Sequence, residues 1–144
     1  FSAFQFFEKL DEVKNTPQII YGQSFGGNLA IPVATKNQNK INGLVVEGTF
    51  MNLKNIANSK IPVFGGLMIS NNYNNRQNLK NFKKPILIIH SKEDRVVNFK
   101  LGKQIFKKAN QPKEFFEIDK PHINGIRFYH NEISNKIDSL ILKK

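Results

Sequence analysis

Short apolar runs alternate four times with segments of helical periodicity along this chain, and that alternation limits the folds open to it. One run, 85–90, is apolar almost throughout, as in strands that a parallel sheet buries on both faces. The predicted strands are Ile19–Tyr21, Leu44–Val46, Pro85–His90 and Glu114–Ile118. The predicted helices are Phe1–Lys14, Asn28–Lys36, Phe99–Ala109 and Ile126–Leu142. This order is typical of an α/β fold, a parallel sheet with helices on both faces.

Two of the predicted helices carry apolar stripes that we expect to face the core. In the first helix the stripe consists of Phe4, Phe7, Leu10 and Val13. In the second it consists of Leu29, Ala30, Val33 and Ala34. Pro32 is placed in the first turns of the second helix, where a missing N–H costs least.

The first strand and its helix are joined by a glycine-rich turn, Gly22-Gln23-Ser24-Phe25-Gly26. A G-x-S-x-G motif between strand and helix is typical of a nucleophile elbow, which lifts the serine hydroxyl clear of the sheet. Gly22 and Gly26 are expected to leave room where side chains would strike the neighbouring helix and strand. The N–H of Phe25 is expected to hold a developing oxyanion. The alternative is a turn that only joins two elements or binds phosphate at the helix N-terminus.

A serine nucleophile needs a base, and the base needs a carboxylate to orient it. Asp94 follows the third strand and His122 follows the fourth. Because the carboxyl ends of parallel strands meet at one edge of a sheet, both residues are expected beside Ser24. The sequence therefore predicts Ser24 as nucleophile, Asp94 as acid and His122 as base.

Other histidines and carboxylates are open to different interpretations. His90 is interpreted as capping its strand, and His130 as a solvated or core residue of the last helix. Glu93 is adjacent to Asp94 and is expected to point elsewhere. Asp119 remains an alternative acid if the loop before His122 is tight.

Composition bounds the remaining function classes. The 144 residues suffice for one domain, 1–144, and the absence of cysteine excludes a disulfide framework or a thiolate metal site. The net charge of +11 comes from scattered lysines, with no basic stretch interleaved with aromatics, so no nucleic-acid partner is predicted. Peripheral contact with a membrane stays open. The sequence does not distinguish a cytoplasmic from a membrane-peripheral location.

At these residues the sequence resembles the α/β-hydrolase superfamily, and within it the small-lidded esterases and acyl-thioesterases. The resemblance rests on four places: residues 21–27, residues 46–50, residues 85–97 and His122. It implies a triad of Ser24, Asp94 and His122 and cleavage of a carboxylic ester or thioester through an acyl-enzyme on Ser24. It also implies a small-molecule acyl substrate and no obligatory cofactor.

The superfamily has further strands before the elbow and a second oxyanion N–H in an earlier loop. Because the chain starts just before the elbow, we expect it to be the C-terminal portion of such a domain, with the N-terminal strands missing. The alternative function is a truncated, catalytically impaired fragment with a binding role or none. Residues 51–82 are expected to form a short lid or cap. Four apolar residues are expected either to line an acyl pocket or to pack in the core: Phe50, Phe64, Leu67 and Met68.

Overall fold

The four apolar runs form one parallel sheet in the computed structural model, which describes residues 2–7, 9–13, 15–53 and 74–143. The strands lie side by side in chain order, β1-β2-β3-β4, and every neighbouring pair is parallel. Their bounds are β1 Ile19–Gln23, β2 Gly43–Glu47, β3 Ile86–Ser91 and β4 Lys113–Ile118. The predicted strands are confirmed, each extended or shifted by one or two residues.

Helices connect the strands, as the alternation predicts. They are α1 Ser2–Phe7, α2 Ser24–Lys36, α3 Arg76–Asn81, α4 Phe99–Lys108 and α5 Gly125–Ile137. A 3₁₀ turn, Asp11–Val13, follows α1, and a π-helical turn, Asp138–Leu142, follows α5. None of the helices in the described ranges has the length and apolar character required to cross a bilayer.

Alternate residues of the buried strands point to opposite faces of the sheet and form two separate apolar clusters. One cluster packs the sheet against α2 and α4 and includes Ile31, Leu44, Val46, Ile88 and Ile105. The other packs it against α5 and the final turn and includes Val45, Leu87, Ile89, Ile133 and Ile141. The α/β class with helices on both faces is therefore confirmed.

The predicted first helix is wrong beyond Phe7. The chain leaves the helix there, and Phe7 is 44% exposed. Phe4 does pack against the core. Leu10 and Val13 are only half-buried, so the stripe gives the remaining turns little burial to stabilise them, since helices of this length depend on tertiary packing.

The second helix begins at Ser24 and not at Asn28, so the glycine-rich segment belongs partly to it. Ala30 and Ala34 of the predicted stripe are buried, but the rest of the buried face differs from the prediction. Leu29 is 43% exposed, whereas Asn28 and Ile31 are buried. The apolar pattern misplaced this face because a polar residue, Asn28, occupies an interior position.

Pro32 lies in the middle of α2 and not in its first turns. Its ring nitrogen has no hydrogen to donate to the carbonyl of Asn28, four residues earlier. The side chain of Asn75 supplies the missing donor, because its Nδ2 lies 2.7 Å from that carbonyl oxygen. Asn28 Nδ2 in turn donates to the carbonyl of Phe50 at 3.0 Å. These buried amides attach α2 to the chain on either side of residues 54–73.

Of the predicted lid, 51–82, the structure describes only the two ends. Asn52 and Asn74 form an antiparallel bridge, and α3 follows. Phe64, Leu67 and Met68 lie outside the described residues, so the lid and their part in an acyl pocket stay predictions.

The last predicted helix, 126–142, is divided. α5 ends at Ile137, and Tyr129 inside it has non-helical backbone angles, φ −132° and ψ 29°. The chain then continues in the π-helical turn, which brings Ile141 onto the sheet.

Candidate active site

Ser24 stands at the junction of β1 and α2, where the strand turns directly into the helix. Its φ is +50°, a left-handed backbone conformation that non-glycine residues adopt at a cost. The turn brings β1 and α2 so close together that there is no room for a side chain between them. A Cβ on Gly22 would lie 2.7 Å from the Cβ of Ala30, so only glycine fits there. Strand, strained serine and helix occur in the order of a nucleophile elbow.

The second tight glycine of the elbow is Gly27, and the prediction for Gly26 is wrong. A Cβ on Gly26 would meet nothing within 4 Å. A Cβ on Gly27 would lie 2.7 Å from the Cβ of Thr49. Thr49 also donates from its hydroxyl to the carbonyl of Ser24 at 2.6 Å, which attaches the elbow to the end of β2.

Asp94 lies on a turn after β3, and its side chain is 1% exposed. One carboxylate oxygen, Oδ1, accepts the backbone N–H groups of Val96 at 2.9 Å and Val97 at 2.8 Å. Burial acts to raise the pKa of Asp94, but the hydrogen bonds from His122 and from these two N–H groups outweigh it. The net pKa lies below the ordinary value, so the carboxylate is ionised at neutral pH.

His122 lies between Asp94 and Ser24. Its Nδ1 is 2.6 Å from Asp94 Oδ2, and its Nε2 is 3.0 Å from Ser24 Oγ. Since a carboxylate only accepts, Nδ1 donates and Nε2 is left to accept the serine proton. Gly48, with φ +55°, lies against the ring, and a Cβ there would be 3.0 Å from Nδ1. The structure thus brings the three predicted side chains into one hydrogen-bonded chain.

His90 lies outside the Asp94–His122–Ser24 series, although its Nε2 is 3.5 Å from Asp94 Oδ2. It is fully buried, and its Nε2 donates to the carbonyl of Val97 at 2.9 Å, behind the Asp94 turn. Burial holds the pKa of His90 below its usual value, although the Val97 carbonyl and Asp94 counteract it. The predicted capping role is replaced by a contact that ties the Asp94 turn to β3 and, through Gly102, to α4.

The remaining alternatives are exposed. His130 is exposed on α5, and Glu93 is exposed beside Asp94. Asp119 is exposed and accepts a hydrogen bond from the hydroxyl of Tyr129. None of the three has a contact with His122 among the hydrogen bonds of the described residues.

Phe25 and Phe50 pack on each other beside the elbow, with ring centroids 6.3 Å apart. Phe50 is buried and belongs to a small apolar cluster with Val97 and Leu101. Its contact with a substrate stays a prediction.

A cleft of about 670 Å³ opens next to Asp94 and His122. It is lined by Lys92, Glu93, Asp94, Arg95, Val96, Pro121 and His122. The side chain of Val96 is 62% exposed at its rim, so the cleft combines apolar and charged surface. Sequence reasoning missed this lining. It could have been predicted from the position of these residues, because they are neighbours of Asp94 and His122 in the chain.

In the described ranges no three histidine, aspartate or glutamate side chains are grouped so that they could hold a metal ion.

The model of the prolyl oligopeptidase family matches residues 2–119, which include Ser24 and Asp94. The chain belongs to the prolyl oligopeptidase family. It is also similar to YfhR of Escherichia coli O157:H7, 25% identical over 134 residues, which cover 92% of this chain and 47% of that protein. The chain therefore spans about half the length of the curated relatives that it matches.

Solved structures share the fold at low sequence identity. The esterase domain of a Rhodothermus marinus protein superimposes with a TM-score of 0.76 at 17% identity, covering 96% of this chain and 66% of that chain. The acylaminoacyl peptidase of Pyrococcus horikoshii gives a TM-score of 0.78 at 19% identity, covering 98% of this chain and 27% of that chain. The α/β-hydrolase fold expected from the sequence is confirmed, and the chain is a partial copy of it. Family and fold together place the chain among proteins of the prolyl oligopeptidase family with an α/β-hydrolase fold.

Proposed function

We propose that this protein cleaves carboxylic esters or thioesters through an acyl-enzyme on Ser24. The observation that supports this most directly is the unbroken chain Asp94 Oδ2–His122 Nδ1 and His122 Nε2–Ser24 Oγ, at 2.6 and 3.0 Å. Hydrogen bonds of this length allow proton transfer in both directions during acyl transfer.

In the proposed reaction Ser24 Oγ attacks the acyl carbon while His122 Nε2 takes the hydroxyl proton. The tetrahedral oxyanion is held by the N–H of Phe25, at the start of α2. Collapse breaks the bond to the alcohol or thiol, which leaves with the proton from His122. Water then attacks the acyl carbon while His122 Nε2 takes a proton from it. The second collapse breaks the bond to Ser24 Oγ, which receives that proton from His122 as the carboxylic acid departs. Asp94 keeps Nδ1 protonated throughout and stabilises the imidazolium.

We propose esters and thioesters, and not peptides, as substrates because the cleft is short. Within the part of the chain that the structure describes, its lining residues come from two loops, which present a short surface beside His122. Activated esters need little leaving-group assistance, whereas an amide needs an extended, well-positioned substrate. One structural neighbour is an esterase domain and another an acylaminoacyl peptidase, so both substrate classes belong in the test.

The test uses the full gene product that contains these residues. A fluorophosphonate probe is expected to label the protein, and Ser24→Ala is expected to abolish labelling. Asn28→Ala is the control for misfolding, because it disturbs α2 without touching the hydroxyl of Ser24. Hydrolysis of a p-nitrophenyl ester, an acyl thioester and an N-acylaminoacyl anilide is then compared. Labelling that persists in Ser24→Ala contradicts the nucleophile, and turnover of the anilide alone contradicts the substrate class.

A further inference from the structure

Glu47 is a buried carboxylate that the proposed reaction does not use. It ends β2 and is 1% exposed. Three donors surround it. Oε2 accepts from the hydroxyl of Tyr21 and from Nε2 of Gln23 at 2.9 Å, and Oε1 accepts the backbone N–H of Gly125 at 2.6 Å. A carboxylate in the interior is costly unless it is hydrogen-bonded, so this set of contacts needs a reason.

The Gly125 contact satisfies the beginning of α5. The first N–H groups of a helix have no partner within it, and a side chain at the N-cap commonly supplies one. Asn124, the N-cap residue here, makes no such bond. Its amide instead donates backwards to the carbonyl of His122 at 3.1 Å. Glu47 therefore takes the place of the local cap, and its negative charge suits the helix N-terminus.

Glycine at the start of α5 is what permits this approach. A Cβ on Gly125 would lie 2.8 Å from Glu47 Oε1. Tyr21 and Gln23 hold the other carboxylate oxygen from the adjacent strand, β1. The carboxylate is thus fixed to two strands of the sheet on one side and to the helix on the other.

The segment between β4 and α5 carries His122 and is strained. Ile123 has φ +52°, an outlier for a β-branched residue. Such a conformation persists only where surrounding contacts enforce it. Asn124 closes the loop on itself, but of the hydrogen bonds described here the Glu47–Gly125 bond is the one that joins its end to the sheet. We propose that Glu47 is a positioning residue: it fixes the start of α5 so that the preceding loop holds His122 Nε2 against Ser24 Oγ.

This inference rests on the proposed function and deepens it. Loss of the Glu47–Gly125 bond is expected to let the His122 loop relax, and a displacement of about 1 Å in a catalytic group costs on the order of 100-fold in rate. Since Glu47 does not reach the cleft, binding of substrate is expected to change little. The predicted signature is a fall in kcat with KM nearly constant.

The experiment compares four variants of the full gene product. Glu47→Gln keeps an oxygen acceptor for Gly125 and is expected to retain kcat within about threefold. Glu47→Ala removes the acceptor and is expected to lower kcat by 10- to 100-fold with KM within threefold. Glu47→Asp keeps the charge but withdraws it by one methylene, and it replaces the alanine variant if that variant fails to fold. Tyr21→Phe removes a donor on the β1 side only and is expected to keep kcat within about threefold.

A second readout separates positioning from general destabilisation. The proton on His122 Nδ1, bonded to Asp94, is expected to give a downfield NMR resonance that persists in Glu47→Gln and broadens or disappears in Glu47→Ala. Wild-type kcat in a folded Glu47→Ala or Glu47→Asp protein overturns the proposal, as does a glutamine variant as impaired as the alanine variant. If labelling persists in Ser24→Ala, the proposed function fails by itself, and the His122 resonance still decides whether Glu47 positions the ring.

Discussion

The nucleophile elbow and the histidine loop bring their residues to the same point by different means. At the elbow, residues adjacent in the chain set the position of Ser24. β1 ends, Ser24 takes a φ of +50°, and α2 begins at once. At the histidine loop the decisive contact comes from far away, because Glu47 and Gly125 are separated by 78 residues. Close packing shapes the first region, and directed hydrogen bonds hold the second.

Both regions store backbone strain, but the residues differ in how well they tolerate it. Ser24 is small, whereas Ile123 is β-branched and has a φ of +52°. A strained residue at a functional site indicates that its surroundings over-determine its conformation. For the elbow, part of these surroundings can be recognised in the motif, because Gly22 belongs to it. For the histidine loop they become visible only when the strands are paired.

The largest expected effect concerns the hydrogen bonds of the histidine loop. Asp94→Asn removes the acceptor for the Nδ1 proton, so His122 loses its tautomer, and kcat is expected to fall about 10⁴-fold. Steady-state turnover of an activated ester measures this. Asp119→Asn, at an exposed carboxylate that was the alternative acid, is the matched control and is expected to leave kcat within about twofold. Equal losses in both variants would contradict the assignment of the acid.

The close packing of the elbow is tested by two neighbouring glycines. Gly27→Ala places a methyl group 2.7 Å from Thr49 Cβ, so the free energy of unfolding is expected to fall by about 1–3 kcal/mol. Gly26→Ala meets nothing within 4 Å and is expected to gain up to about 1 kcal/mol from helix propensity. Urea titration measures both. A loss in Gly26→Ala as large as that in Gly27→Ala would remove the distinction between the two positions.

The free energy of unfolding is expected to depend on pH through His90, whose side chain packs behind the Asp94 turn. Burial holds the pKa of His90 below its ordinary 6.5, so below that pH the unfolded chain binds a proton that the folded chain excludes. The stability is thus complete above about pH 6.5 and decreases as the pH falls, by at most about 1.4 kcal/mol per pH unit for one proton. His90→Gln, which keeps a donor for Val97, is expected to show a shallower decline between pH 7 and 5. Identical slopes in denaturant titrations would be evidence against this.

The smallest expected effect compares strain within the histidine loop. Asparagine adopts the left-handed region more readily than a β-branched residue, so Ile123→Asn is expected to raise the free energy of unfolding by about 1 kcal/mol. Ile126→Asn, at another exposed isoleucine but inside α5, is the control and is expected to show no gain. Thermal unfolding distinguishes the two variants. A gain at both positions would mean that surface polarity and not backbone strain is responsible.

What the sequence could predict follows the same division. The strands, the class of fold and the three residues Ser24, Asp94 and His122 lie in local patterns, namely apolar runs and the positions just after them. Their catalytic roles remain predictions. Gly27 was missed because its constraint comes from Thr49, which reaches it only across paired strands.

The start of α2 was misplaced for a related reason. The elbow converts strand to helix without a separate turn, and the glycines that make this possible look like loop residues in isolation. The buried face of α2 was misassigned in part, because Asn28 is interior and hydrogen-bonded to the carbonyl of Phe50. Polar residues with distant partners are those that periodicity cannot place.

The spatial order of the strands, β1-β2-β3-β4, repeats their order along the chain, and this has a consequence for synthesis. Each of β2, β3 and β4 emerges from the ribosome after the strand that it pairs with, so it can add to an edge that is already made. Ser24 is then available before Asp94, and Asp94 before His122. The contact between Gly125 and Glu47 can form only after the loop that carries His122 has been made. A nascent chain therefore exposes Ser24 before His122 has been translated.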